Sequence, residues 1–135
     1  VWTNGCFDVL HRGHIELFRF CKLLAGSDGE VIVGIDSDKK VKKDKGKNRP
    51  INSLNDRMAM LNALIFVDKV IPFDDATELE RLVKWITPHA MVIGSDWKGK
   101  EVIGEKHADK LIFFDRAIAF AIDIDVLILD NFPGP

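Results

Sequence analysis

The stretch GCFDVLHRGH, residues 5–14, places His11 and His14 three apart around Gly13, directly after a short run that reads as a buried strand. Two imidazoles at that spacing can donate hydrogen bonds to phosphate oxygens that gain charge during a reaction. If a helix starts at Gly13 and His14, its free N–H groups and its dipole attract the same anions, and Gly13 leaves room for a phosphate to approach the backbone. Zinc suits the site less well, because no third and fourth ligand follow at ligand spacing. H-x-G-H is a short signal, however, and two isolated histidines are more often packing or surface residues. Both readings stand at this point.

A second cluster lies further along. Lys39 to Arg49, KKVKKDKGKNR, holds six Lys and one Arg against Asp44, whereas the whole chain of 135 residues has a formal charge of −2. A cationic loop therefore sits on an acidic body. It reads either as a solvated, mobile surface loop or as an anion clamp whose ammonium groups fold over a polyphosphate. A nucleic-acid partner is not expected, since the basic charge is not spread over a face and no aromatic residue interleaves it.

The elements that must hold these groups follow from periodicity. Val1 to Thr3 and Val31 to Ile35 are strand-like, and Leu17, Phe20, Cys21 and Leu24 recur between them at helical spacing, ending at Gly26. Ser53 with Asp56 predicts the start of a helix burying Leu54, Met58, Leu61 and Ile65, followed by a strand over Val67 to Ile71. Thr77 with Glu80 predicts another start, with Leu79, Leu82, Val83 and Ile86 as the apolar stripe and Pro88 beyond it. Ala90 to Ile93 and Leu111 to Phe114 complete the set of strands. Strands alternating with short helices imply an α/β fold: a Rossmann-like open parallel sheet with helices on both faces, in a single domain.

Composition agrees with one packed domain, at 47% hydrophobic and 30% charged residues. There is no apolar run of membrane-spanning length, and Asp123 and Asp125 interrupt the longest late one, Ala117 to Leu129. With no signal-peptide layout either, a soluble, cytoplasmic protein without a membrane partner is expected. Cys6 and Cys21 form no CxxC and read as buried thiols, and no metal-ligating cluster is indicated. The chain opens on Val1 in a strand-like run, which suggests a few residues ahead of it.

Three motifs in order are far more specific than H-x-G-H alone. TNGCFDVLHRGH (Thr3 to His14) resembles the first motif of the cytidylyltransferase-like nucleotidyltransferases. NRPINSLNDRM (Asn48 to Met58) resembles the segment after the basic loop in the adenylyltransferase domain of bacterial heptose-phosphate enzymes, and GSDWKGK (Gly94 to Lys100) is similar to the matching part of glycerol-3-phosphate cytidylyltransferases. The resemblance implies transfer of a nucleotidyl group from ATP or CTP, leaning to ATP, to a sugar or polyol phosphate, with release of pyrophosphate. It implies a domain over residues 1–116, a magnesium ion that arrives with the nucleotide, and partners limited to the two substrates, with a homodimer left open.

By the same resemblance, His11 and His14 hold the triphosphate and stabilise the transition state. Lys42, Lys43 and Lys45 contact the incoming and leaving phosphates, and Arg57 adds a fixed fork. Gly5, Cys6, Phe7, Gly13, Gly94, Asp96, Trp97 and Arg116 line the nucleotide site, and Asp8 orients the site or the acceptor. For Trp97 a plain packing role fits equally. The end of the chain departs from the family pattern. No Ser or Thr follows Ser95, so the hydroxyl-bearing motif that opens the last helix in such proteins is missing from residues 117–135, an atypical tail of the same domain. That departure keeps a second reading open, a non-catalytic relative that binds nucleotide.

Overall fold

The computed structural model describes residues 1–115. Arg116 and the tail after it lie outside the described residues. The chain forms β1 (Trp2–Gly5), α1 (Arg12–Ala25), β2 (Ile32–Asp36), α2 (Asp38–Lys45), α3 (Leu54–Asn62), β3 (Lys69–Phe73), α4 (Ala76–Ile86), β4 (Ala90–Gly94) and β5 (Lys110–Phe114), with short 3-10 turns at Ser95–Trp97 and Glu105–His107. The strands pair in parallel in the order β3-β2-β1-β4-β5. The chain thus builds outward on one side of β1, returns, and builds outward on the other. The reversal falls between β1 and β4, where ligands of open α/β sheets bind beyond the carboxyl ends of the strands.

Alternation along the strands gives each face its own core. On β4, Val92 joins Phe18, Phe20 and Cys21 of α1 and Leu61 of α3, while Met91 and Ile93 join Leu79 and Val83 of α4 with Trp2 and Phe73. Helices therefore cover both faces, as the sequence pattern predicts. Gly34 in the middle of β2 makes room for the buried Trp2. A Cβ there would overlap Cζ2 of the indole and stand 2.6 Å from Cη2. Since a fully buried ring on a strand has nowhere to retreat, Gly34→Ala is expected to lower stability by about 1–3 kcal/mol. A denaturant midpoint equal to that of the wild type would show that the sheet adapts there.

Three expectations are corrected. The basic segment is not a mobile loop through most of its length. Ser37 caps α2 by accepting the Lys40 N–H at 3.2 Å, Asp38 occupies the first turn, and Lys42, Lys43 and Lys45 occupy the last. Lysine is a good helix former, and that charge order complements the helix dipole, so the charge run that looked like a loop suits a short helix. The cap of α4 is Asp75, which accepts the Glu78 N–H at 2.8 Å, in place of Thr77 with Glu80. Ile65 lies beyond the end of α3 and is 84% exposed, so the helix buries Leu61 but not Ile65. No helix among the described residues is long and apolar enough to cross a membrane.

Candidate functional site

The histidines sit at the start of α1 and are built into its cap. His11 is the N-cap residue, its Nδ1 accepting the Gly13 N–H at 3.0 Å, and Nδ1 of His14 accepts the His11 N–H at 3.2 Å. This is a capping box made from two imidazoles in place of a hydroxyl and a carboxylate. Because both Nδ1 atoms accept, the hydrogen-bond network assigns the proton of each neutral ring to Nε2. The rings stack at 3.9 Å, and Phe7 meets His14 edge-on at 5.4 Å while also packing on Phe18. Phe7 adopts φ +49°, an uncommon conformation for a side chain of that size, so local strain accompanies the turn that sets the His14 ring. The buried Gly13 supplies the close backbone at the helix start.

A cleft of about 540 Å³ opens beside this loop, over the carboxyl ends of β1, β2, β3 and β4. Phe73, Leu79, Ile93 and Val102 form its apolar lining, and Asp36, Lys40, Asp44 and Lys45 its charged wall. Gly5, Cys6, Gly94, Asp96 and the 47% exposed Trp97 also line it. Trp97 has Lys100 over its ring at 5.6 Å. The volume lies within the range of small-molecule sites. His11 and His14 are not part of the lining; the turn running from Cys6, which does line the cleft, leads to them. Burial raises the Cys6 thiol above its usual range, against the pull of Lys45 and Arg57.

The helical phase of α2 sorts the lysines. Lys40 and Lys45 face the cleft together with Asp44, whereas Lys42 and Lys43 are exposed and outside its lining. Lys40 Nζ lies 2.6 Å from Asp44 Oδ2 and 3.6 Å from Asp36 Oδ2. Lys40, Asp36 and Asp44 were not singled out by the sequence reading. The signal for them was present in the acid that ends the buried run VIVGID and in the i, i+4 spacing of Lys40 and Asp44.

Asp8 and Arg57 hold loops to one another. The Asp8 carboxylate is buried and accepts from the Ile51 N–H at 2.7 Å, the Asn52 N–H at 2.8 Å and Arg49 Nε at 3.2 Å, while Asn52 Nδ2 donates to the Asp8 carbonyl. Burial alone would raise its pKa, but these donors outweigh burial and hold the carboxyl below its usual range. Asp8 therefore pins residues 49–52 onto the loop that carries the histidines, and its carboxylate is committed there.

Arg57 is 1% exposed. Its Nε donates to the Asn52 carbonyl at 3.0 Å, Nη1 to the carbonyls of Cys6 at 2.9 Å and Asp36 at 2.7 Å, and Nη2 to Asp38 Oδ1 at 2.7 Å. The fork expected to meet a phosphate is spent on protein. It ties the ends of β1 and β2, the start of α2 and the segment before α3 around one planar cation.

A parallel five-stranded sheet with an imidazole-capped helix beside a charged cleft at the strand reversal defines a Rossmann-like α/β protein with a candidate site at the carboxyl ends of its strands. A family model described as cytidylyltransferase-like matches residues 2–125, and the chain belongs to that family. The chain is 44% identical over 115 residues to the bifunctional protein HldE of Campylobacter fetus, covering 85% of this chain and 24% of that protein. Against the bifunctional protein HldE of Sulfurimonas denitrificans the identity is 47% over 116 residues, covering 85% of this chain and 23% of that one. The chain thus spans about a quarter of the length of these relatives. Among solved structures, the lipopolysaccharide core biosynthesis protein of Thermoplasma volcanium superposes with a TM-score of 0.61 at 25% identity, covering 93% of this chain and 85% of that one.

Proposed function

We propose that the chain is a nucleotidyltransferase unit that joins a nucleoside triphosphate, ATP ahead of CTP, to a sugar phosphate of the heptose type and releases pyrophosphate. The observation that carries this reading is the pairing of an anion-attracting, imidazole-bearing helix start with a cleft of small-molecule size whose wall carries lysines. The similarity to bifunctional HldE proteins supports the heptose class.

In the reaction, an oxygen of the sugar phosphate attacks the α-phosphorus and forms the new P–O bond, while the bond to the β-phosphate bridging oxygen breaks and pyrophosphate leaves. The acceptor is its own nucleophile, so positioning and charge neutralisation are the protein's work. His11 and His14 direct Nε2–H groups at the phosphates, with the α1 N-terminus behind them. Lys45 binds phosphate at the cleft wall. Gly94, Asp96 and Trp97 shape the nucleotide side, and Asp8 and Arg57 hold the loops in register. Among the described residues no His, Cys, Asp and Glu side chains gather to cage a metal, and the wall carboxylates Asp36 and Asp44 both face Lys40. A magnesium ion arriving with the triphosphate would be held by phosphate oxygens and water and would neutralise phosphate charge.

The lysines give a direct check. Lys45→Ala should raise the KM of a phosphate substrate by about tenfold or more, as loss of one charge-assisted bond does, whereas Lys42→Ala and Lys43→Ala should each stay within about threefold. Equal effects at all three positions would return α2 to the role of a general cationic surface. Pyrophosphate release measured over four nucleotides and a panel of sugar and polyol phosphates, with nucleotide binding in parallel, tests the whole reading. The absence of Ser and Thr after Ser95 favours one alternative, a nucleotide-binding relative without turnover, and binding without pyrophosphate release would establish it.

A further inference from the structure

Asp8 and Asp36 are both buried carboxylates, but the fold treats them differently. Two backbone N–H groups and a guanidinium satisfy Asp8. Asp36 ends β2 on the cleft wall with its side chain 13% exposed, and its one ion-pair partner among the described residues is Lys40, at 3.6 Å. That ammonium is drawn away toward Asp44 at 2.6 Å. The Asp36 backbone is fixed from behind, because Arg57 Nη1 donates to its carbonyl at 2.7 Å. Its carboxylate therefore springs from a fixed backbone position, is mostly buried, and lines the cleft.

We infer that Asp36 is a specificity-determining residue that holds a vicinal diol of the bound substrate, each carboxylate oxygen accepting from one of two adjacent hydroxyl groups. The chemistry of the wall selects that partner. A phosphate would be repelled by Asp36 and Asp44, and an apolar group would leave a buried carboxylate unsatisfied. Hydroxyls supply donors to the carboxylate in addition to Lys40, while Phe73, Leu79, Ile93 and Val102 offer apolar surface to the C–H faces of a ring. Lys40 favours the ionised form of the carboxylate, which is the stronger acceptor, against the larger opposing effect of burial. Burial pushes the Asp36 carboxyl above its usual range in spite of Lys40, so the ionised group adds no stability to the fold. The diol could belong to the acceptor sugar or to the ribose of the nucleotide. The inference rests on the sugar-phosphate and nucleotide reading above.

The test is calorimetric binding to the full chain of a heptose 1-phosphate, its monodeoxy analogues, ATP and 2′-deoxy-ATP, with wild type, Asp36→Ala and Asp36→Asn. In the wild type, removing one hydroxyl of the recognised pair should weaken binding about tenfold or more. In Asp36→Ala the parent compound and its deoxy analogue should bind within about threefold, and the melting temperature should be equal to the wild type's or higher. Asp36→Asn keeps the shape and one acceptor, so it should retain part of the discrimination. Loss of discrimination confined to the heptose series assigns the diol to the acceptor, and loss confined to ATP assigns it to the ribose. The inference is overturned if wild type binds every deoxy analogue as well as its parent, if both variants keep the full preference, or if wild type binds none of these compounds. Hydroxyl discrimination in a chain that releases no pyrophosphate would sink the catalytic reading and leave this one standing.

Discussion

Replacing Arg57 by Met is expected to destabilise the protein by about 3–5 kcal/mol, a large share of the roughly 5–15 kcal/mol that holds a domain of this size together. Met replaces the apolar stem of Arg as far as Nε, so the loss is mainly that of the guanidinium. It comes from leaving the carbonyls of Cys6, Asp36 and Asn52 without the donors they now have, and Asp38 without its partner, in a place where water cannot reach all of them. Arg57→Lys should recover a minor part, since an ammonium can face Asp38 but cannot span four acceptors in one plane. Asp38→Asn should cost less than either, because Asp38 is 41% exposed and water can replace its share. Urea midpoints measured across the three variants check the order. A Met variant within about 1 kcal/mol of wild type would mean that the loops hold their places without the guanidinium. Turnover should fall with stability in these variants, because Arg57 bridges the end of β1, which leads to His11 and His14, and the end of β2, which leads to Lys40 and Lys45.

His14→Ala is expected to act in the opposite manner, with a large effect on rate and a small one on stability. Its Nδ1 accepts the His11 N–H at the exposed start of α1, and loss of one cap bond there costs about 1 kcal/mol. If Nε2–H stabilises charge developing on the transferring phosphate, turnover should drop roughly 10²- to 10³-fold with a smaller change in nucleotide affinity. Steady-state pyrophosphate release, paired with a melting curve for the same preparation, separates the two effects. An unchanged turnover number would reduce His14 to a capping residue.

Much of the fold was legible because strands and helices advertise themselves by local spacing. The β-branched runs and the stripes Leu17–Phe20–Cys21–Leu24 and Leu79–Leu82–Val83–Ile86 lie where the elements form, since burying one face of a short element needs that period and little else. The capping serine of α3 was equally local, with Ser53 accepting the Asp56 N–H at 3.3 Å. The errors were local too. Asp75 and Thr77 both offer a capping side chain close to the same helix start, and a run of lysines describes a solvated loop as well as it describes the exposed face of a helix.

The residue types at H-x-G-H, with the motifs at 48–58 and 94–100, determined the family and the phosphate-directed chemistry it implies, because that information is carried by chemical identity and spacing along the chain. What each charged group does was decided only by the tertiary structure. Arg57 reads as a phosphate fork from its neighbours in sequence, yet it lies 51 residues from the Cys6 carbonyl it binds. Asp8 reads as a site carboxylate, yet its partners are 41 to 44 residues away. Lys40 and Lys45 differ from Lys42 and Lys43 only in the face of α2 they occupy. Whether a buried charge ends paired with the protein or turned toward a cleft depends on which distant backbone groups the fold brings within hydrogen-bond reach, and no local pattern encodes that distance.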